Sequence, residues 1–85
     1  MGKYDKLFTN ILSGRSDHSI RFIELTHLLC AMGFNERIKG DHYIYYRQDI
    51  EEILNLQPKG SQAKAYQVRQ VRNLIIKYRL EGPNE

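Results

Sequence analysis

Apolar residues fall along this chain in three helical stripes, with a stretch of strict alternation between the second and the third. Tyr4, Leu7, Phe8, Ile11 and Leu12 stand at i, i+3, i+4, i+7 and i+8, which predicts a three-turn helix ending at Gly14. A helix that short needs its stripe covered by this domain, a second copy or a partner, and the pattern permits all three. Polar, turn-rich residues from Ser13 to Ser19 read as a linker. Phe22, Leu25, Leu28, Leu29 and Met32 form the second stripe, on a helix over 22–32 that Gly33 stops, with Phe34 closing back on its last turn.

From Phe34 the period changes to two. Phe34, Glu36 and Ile38 alternate with Asn35, Arg37 and Lys39, then Gly40-Asp41 turns the chain into His42-Tyr43-Ile44-Tyr45-Tyr46-Arg47. In that strand His42, Ile44 and Tyr46 share one face, and Tyr43, Tyr45 and Arg47 share the other. The expectation is that Tyr46 is buried with Ile44, leaving Tyr43 or Tyr45 exposed. A third strand over 53–57 sets Leu54 and Leu56 against Asn55 and Gln57 before Pro58 and Gly60 interrupt it. The last stripe, Val68, Val71, Leu74, Ile75 and Tyr78, predicts a helix from about Tyr66.

This succession predicts an α+β fold: a three-stranded antiparallel sheet with two helices on one face, plus the extra N-terminal helix. The division expected is an N-terminal helix and linker over 1–19, a domain over 20–81 and a tail over 82–85. Eighty-five residues suffice for one core, and 41% hydrophobic with 27% charged residues is the composition of a folded chain. No apolar run reaches the ~18 residues that would cross a bilayer, and no signal-peptide pattern opens the chain, so a cytoplasmic protein without a membrane partner is expected. The single cysteine, Cys30, is expected to pack as a small hydrophobe.

Charge adds an asymmetry that the net +3 conceals. No acidic residue falls between Ile53 and Leu80, where Lys59, Lys64, Arg69, Arg72, Lys77 and Arg79 all lie. Such a segment gathers phosphates, or it is a solvated face balancing acids elsewhere. The small-residue stretch from Lys59 to Ala65 suits contact with a phosphate backbone. His42 stands at the rim of the turn beside tyrosines and an arginine, which suits proton transfer near an anion; from the residues alone, a turn histidine that only bonds its neighbours is the simpler reading. No cluster of carboxylates, histidines or cysteines has metal-ligand spacing, so neither a metal nor another cofactor is expected.

The residues Leu28-Leu29 to Gly33-Phe34, Lys39-Gly40-Asp41-His42-Tyr43-Ile44-Tyr45, Leu54-Asn55-Leu56-Gln57-Pro58 and Val71-Arg72-Asn73-Leu74-Ile75 together resemble the HicA toxins of bacterial type II toxin-antitoxin systems. The resemblance spans about Arg21 to Leu80. It implies a fold like the double-stranded-RNA-binding domain, in the order α-β-β-β-α, and the activity of an mRNA interferase neutralised by a HicB-type antitoxin. The histidine that follows a glycine and a small polar residue at the start of the second strand is that family's functional residue, and it corresponds here to His42. Three departures stand out: Asp41 in place of the usual serine, the added N-terminal helix, and Ala65-Tyr66-Gln67 where many members carry a proline-glycine turn.

On this reading His42 moves a proton in a metal-independent attack of a ribose 2′-hydroxyl on the adjacent phosphorus. Lys39, Lys59 and Lys64 are expected to stabilise the charge that develops, with Gly40 and Asp41 forming the loop beside them. Tyr43 or Tyr45 is expected to stack an RNA base, and Arg69 and Arg72 to hold the backbone. The alternatives are a non-catalytic RNA-binding module that grips with the same basic helix and loop, and a protein-interaction domain whose basic surface answers an acidic partner.

Overall fold

The structure, a computed structural model, describes residues 2–83. The helices are α1 (Asp5–Ser13), α2 (Phe22–Ala31) and α3 (Ala65–Lys77); the strands are β1 (Asn35–Lys39), β2 (His42–Arg47), β3 (Ile50–Leu56), β4 (Pro58–Lys59) and β5 (Gln62–Ala63). β1, β2 and β3 form an antiparallel sheet in that order, and β4 and β5 form a separate small hairpin. The chain is therefore α+β: from α2 to α3 run the three strands of the sheet and then the small β4–β5 hairpin, an order compatible with an α-β-β-β-α arrangement, with α1 ahead of it.

Glycine sets the ends of two elements. Gly33 takes a φ of 91° after α2, and the Phe34 amide then reaches back to the Leu29 carbonyl at 3.1 Å, which seats the Phe34 ring in the core. Gly40 takes a φ of 62° in a two-residue turn between β1 and β2, the position at which a type II′ hairpin needs glycine. At the end of α3 the same closing bond, from Leu80 to Ile75, forces Arg79 into the left-handed region at 52° without glycine's freedom.

One face of the sheet meets the helices. Tyr45, Ile50, Leu54 and Leu56 join Leu25, Leu28 and Leu29 of α2 and Val68, Val71, Leu74 and Ile75 of α3 in a single buried cluster that also takes in Ile11 of α1. The N-terminal helix thus shares the core of the rest. Its seat is fixed by Asp17 and Arg72, whose side chains are only 11% and 17% exposed and form a two-pronged ion pair at 2.9 and 3.1 Å. Arg72 also donates to the Ile11 carbonyl. The stretch read as a linker accordingly contains a buried anchor.

Several expectations are overturned. Tyr45 is fully buried and Tyr46 is 42% exposed, the reverse of the expected order. Register explains it: Tyr43 pairs with Leu56 and Tyr45 with Leu54, and opposed residues share a face, so the leucines of β3 decide which side of β2 turns inward. β3 begins at Ile50, whose side chain is buried, rather than at Ile53, which is exposed. Cys30 is exposed, with its thiol 3.7 Å from the Glu36 carboxylate. Of the tail expected over 82–85, Gly82 lies close to the Phe8 ring, while Asn84 and Glu85 fall outside the described residues.

Candidate functional site

The hairpin geometry puts His42 first on β2, paired across the turn with Lys39. Both side chains therefore belong to the sheet face away from the helices. The imidazole is 48% exposed, and each ring nitrogen has one polar neighbour. Nδ1 lies 3.1 Å from Asn55 Oδ1. Nε2 lies 3.8 Å from Asp41 Oδ1, beyond a hydrogen bond and within reach of its charge. With Asn55 Oδ1 as acceptor, Nδ1 carries the hydrogen and Nε2 presents its lone pair outward.

Behind the histidine runs a chain of amides. Gln57 Nε2 donates to Asp41 Oδ2 at 3.1 Å, the Gln57 backbone amide donates to Gln67 Oε1 at 3.3 Å, and Gln67 Nε2 reaches the Tyr66 hydroxyl at 3.4 Å. Gln67 is buried on α3, so the carboxylate beside His42 is tied through Gln57 to the helical layer. These positioning residues carry no sequence motif. Their signal is positional: Asn55 is on the polar side of β3, Gln57 directly follows its end, and Gln67 is a polar residue next to the apolar stripe of α3.

The expected site residues separate into groups. Lys39, Gly40, Asp41 and His42 meet at one turn. Lys59 and Lys64 come together with His18 and Gln62 around a shallow notch at the start of α3, and His42 is not part of its lining. Arg69 lies farther along α3 on an exposed side shared with Glu52, Tyr66 and Lys77. Arg72 is withdrawn from any phosphate by its pair with Asp17, which corrects its assignment to RNA. The Tyr43 ring stands edge-on to Phe22 at 4.9 Å, with part of its surface open.

Tyr45 is removed from the site altogether. Its hydroxyl donates to Glu36 Oε2 at 2.6 Å, and burial, followed by this carboxylate, holds the phenol far above its ordinary range. No base can stack on it. Among the described residues no three His, Cys, Asp or Glu side chains are grouped so as to hold a metal ion, and no helix is long and apolar enough to cross a membrane. Comparison with models of protein families, with curated proteins and with solved structures finds no match to this chain.

Proposed function

We propose that the protein is a HicA-type mRNA interferase with a fold like the double-stranded-RNA-binding domain, acting in the cytoplasm and neutralised by a HicB-type antitoxin. The observation that carries this reading is the state of His42. One ring nitrogen is held by Asn55, the other is in no hydrogen bond, the side chain is 48% exposed, and a carboxylate stands just beyond bonding distance. The residues of the resemblance around Gly40 and His42 supply the reaction.

In that reaction Nε2 takes the proton of a ribose 2′-hydroxyl, the freed oxygen attacks phosphorus, and the 5′-oxygen of the next nucleotide leaves with a proton returned to it. Asn55 keeps the ring oriented throughout. The imidazolium that forms faces Asp41, a solvent-screened attraction that Gln57 positions. Lys39, in register with His42 across the turn, is the cation assigned to the charge on the phosphorane. The antitoxin works by covering this face, so a tight complex loses RNA binding.

The test is turnover of a defined RNA by the wild type and by His42→Ala. One general acid-base group contributes about 100- to 10,000-fold, so the variant should lose turnover on that scale while binding RNA as before. Equal cleavage by both proteins would end the assignment. Binding without cleavage in both would instead support the non-catalytic RNA-binding module, with Lys59, Lys64 and Arg69 as its grip.

A further inference from the structure

The sheet has a face that no helix covers. Along β2 it presents His42, Ile44 and Tyr46; in register beside them on β1 stand Lys39 opposite His42 and Arg37 opposite Ile44. On β3 the same side carries Asn55 opposite Ile44, then Ile53, which is 61% exposed. Tyr46 and Ile53 are both exposed apolar residues on this side, and the half-buried Ile44 stands on β2 between Tyr46 and the histidine.

Two cations stand on this face, Arg37 and Lys39, and neither is in an ion pair among the described residues, in contrast to Arg47, Arg72 and Lys77, each bound to a carboxylate. Lys59, Lys64 and Arg69 are also in no ion pair among the described residues but lie off this face. A strip of unpaired positive charge therefore runs along one side of an exposed ring and leads to the imidazole. An aromatic ring flanked by free cations is the arrangement that takes a nucleobase and its phosphate together. It selects an unpaired strand, because bases within a duplex keep their faces covered.

We propose that this face is a platform for single-stranded RNA, with a base stacked on Tyr46 and the backbone following Arg37 and Lys39 to the phosphate at His42. This rests on the reading of His42 as the cleaving residue, and it adds the strandedness of the substrate and its path. Tyr46 lies four residues from His42, about 13 Å along the strand at ~3.3 Å per residue. The stacked base therefore belongs to a nucleotide neighbouring the scissile one rather than to the scissile one itself. In register along this face from Lys39 and His42 to Arg37, Ile44 and Asn55 no residue is acidic, and Asp41 sits in the turn at its end.

The test is fluorescence anisotropy of the full chain with a short, fully 2′-O-methylated single-stranded RNA, which cannot be cleaved by 2′-hydroxyl attack, and with its duplex. Tyr46→Ala should weaken single-strand binding about 5- to 150-fold, the worth of one stacked base. Tyr46→Phe, which keeps the ring, should restore affinity to within about twofold. Ile23→Ala, which trims an exposed residue on the outer side of α2, should bind as the wild type does. Wild-type affinity in Tyr46→Ala, or a preference for the duplex, would overturn the platform and leave a protein partner as the occupant of this face. Weakened binding by Tyr46→Ala, in a protein that fails to cut natural RNA, would keep the platform and remove the nuclease. Cleavage with binding unaffected by Tyr46→Ala would remove the platform alone.

Discussion

Tyr45 and Tyr46 are neighbours with the same side chain and opposite situations. Tyr45 lies wholly within the core with its hydroxyl on Glu36, and Tyr46 stands on the uncovered face with its ring in solvent. The contrast extends to the faces they belong to. On the helix side three cations are tied into the fold: Arg72 by Asp17, Arg47 by Asp49 and the Met32 carbonyl, and Lys77 by Glu52. On the other side Arg37, Lys39 and the Nε2 of His42 have no bonded partner among the described residues. A side chain whose bonding capacity is spent stabilises structure; one whose capacity is free is available to a ligand.

The largest expected effects separate the two faces by stability. Truncating a buried aromatic to alanine costs about 3–5 kcal/mol, so Tyr45→Ala should shift the urea midpoint sharply. Tyr46→Ala should stay within about 0.5 kcal/mol of the wild type, as exposed positions do. Equal losses at the two positions would erase the distinction. Next comes Arg72→Ala, which leaves the Asp17 carboxylate buried without its partner. Such breaks cost about 3 kcal/mol or more, which for a chain of this size lowers Tm by more than ~10 °C. An unchanged Tm together with weakened RNA binding would return Arg72 to the nucleic-acid surface.

A smaller effect sharpens the account of the histidine. Asn55→Ala removes one neutral hydrogen bond, worth about 1 kcal/mol, so kcat should fall about fivefold with KM little changed. A rise in KM alone would make Asn55 a substrate contact instead of a positioning residue. The smallest effect concerns Cys30, whose thiol is pushed upward in pKa by burial first and by the Glu36 charge and hydrogen bond second. Less thiolate is then present at a given pH, so alkylation at mildly alkaline pH should be slower than that of a free thiol. Glu36→Gln should recover part of the rate, and a Cys30 that reacts as fast as free cysteine would contradict the contact.

Much of the architecture was legible because helical and alternating periods are local. The stripes of α2 and α3, the glycine stops and the Gly40-Asp41 turn all follow from neighbouring residues. What stayed hidden depends on pairing between distant segments. The inward side of β2 is decided by Leu54 and Leu56 across the sheet, and the role of Arg72 by Asp17, 55 residues away in the chain. Ile50 falls outside the strand expected over 53–57 because the polar Glu51 and Glu52 follow it, although its own side chain reaches the core. Of the site, His42 and its turn were visible as a motif. Asn55, Gln57 and Gln67 were not, since amide side chains acquire a role only through the atoms that folding brings to them.

The most direct test of the central claim is the chemistry at the ends of the fragments. A defined single-stranded RNA is incubated with the wild type and with His42→Ala in excess EDTA, and the 3′ termini are identified by mass. Proton transfer by His42 at the 2′-hydroxyl predicts 2′,3′-cyclic phosphate ends with the wild type and intact RNA with the variant. Fragments ending in 3′-hydroxyl, cutting that EDTA abolishes, or cutting that persists in His42→Ala would contradict it.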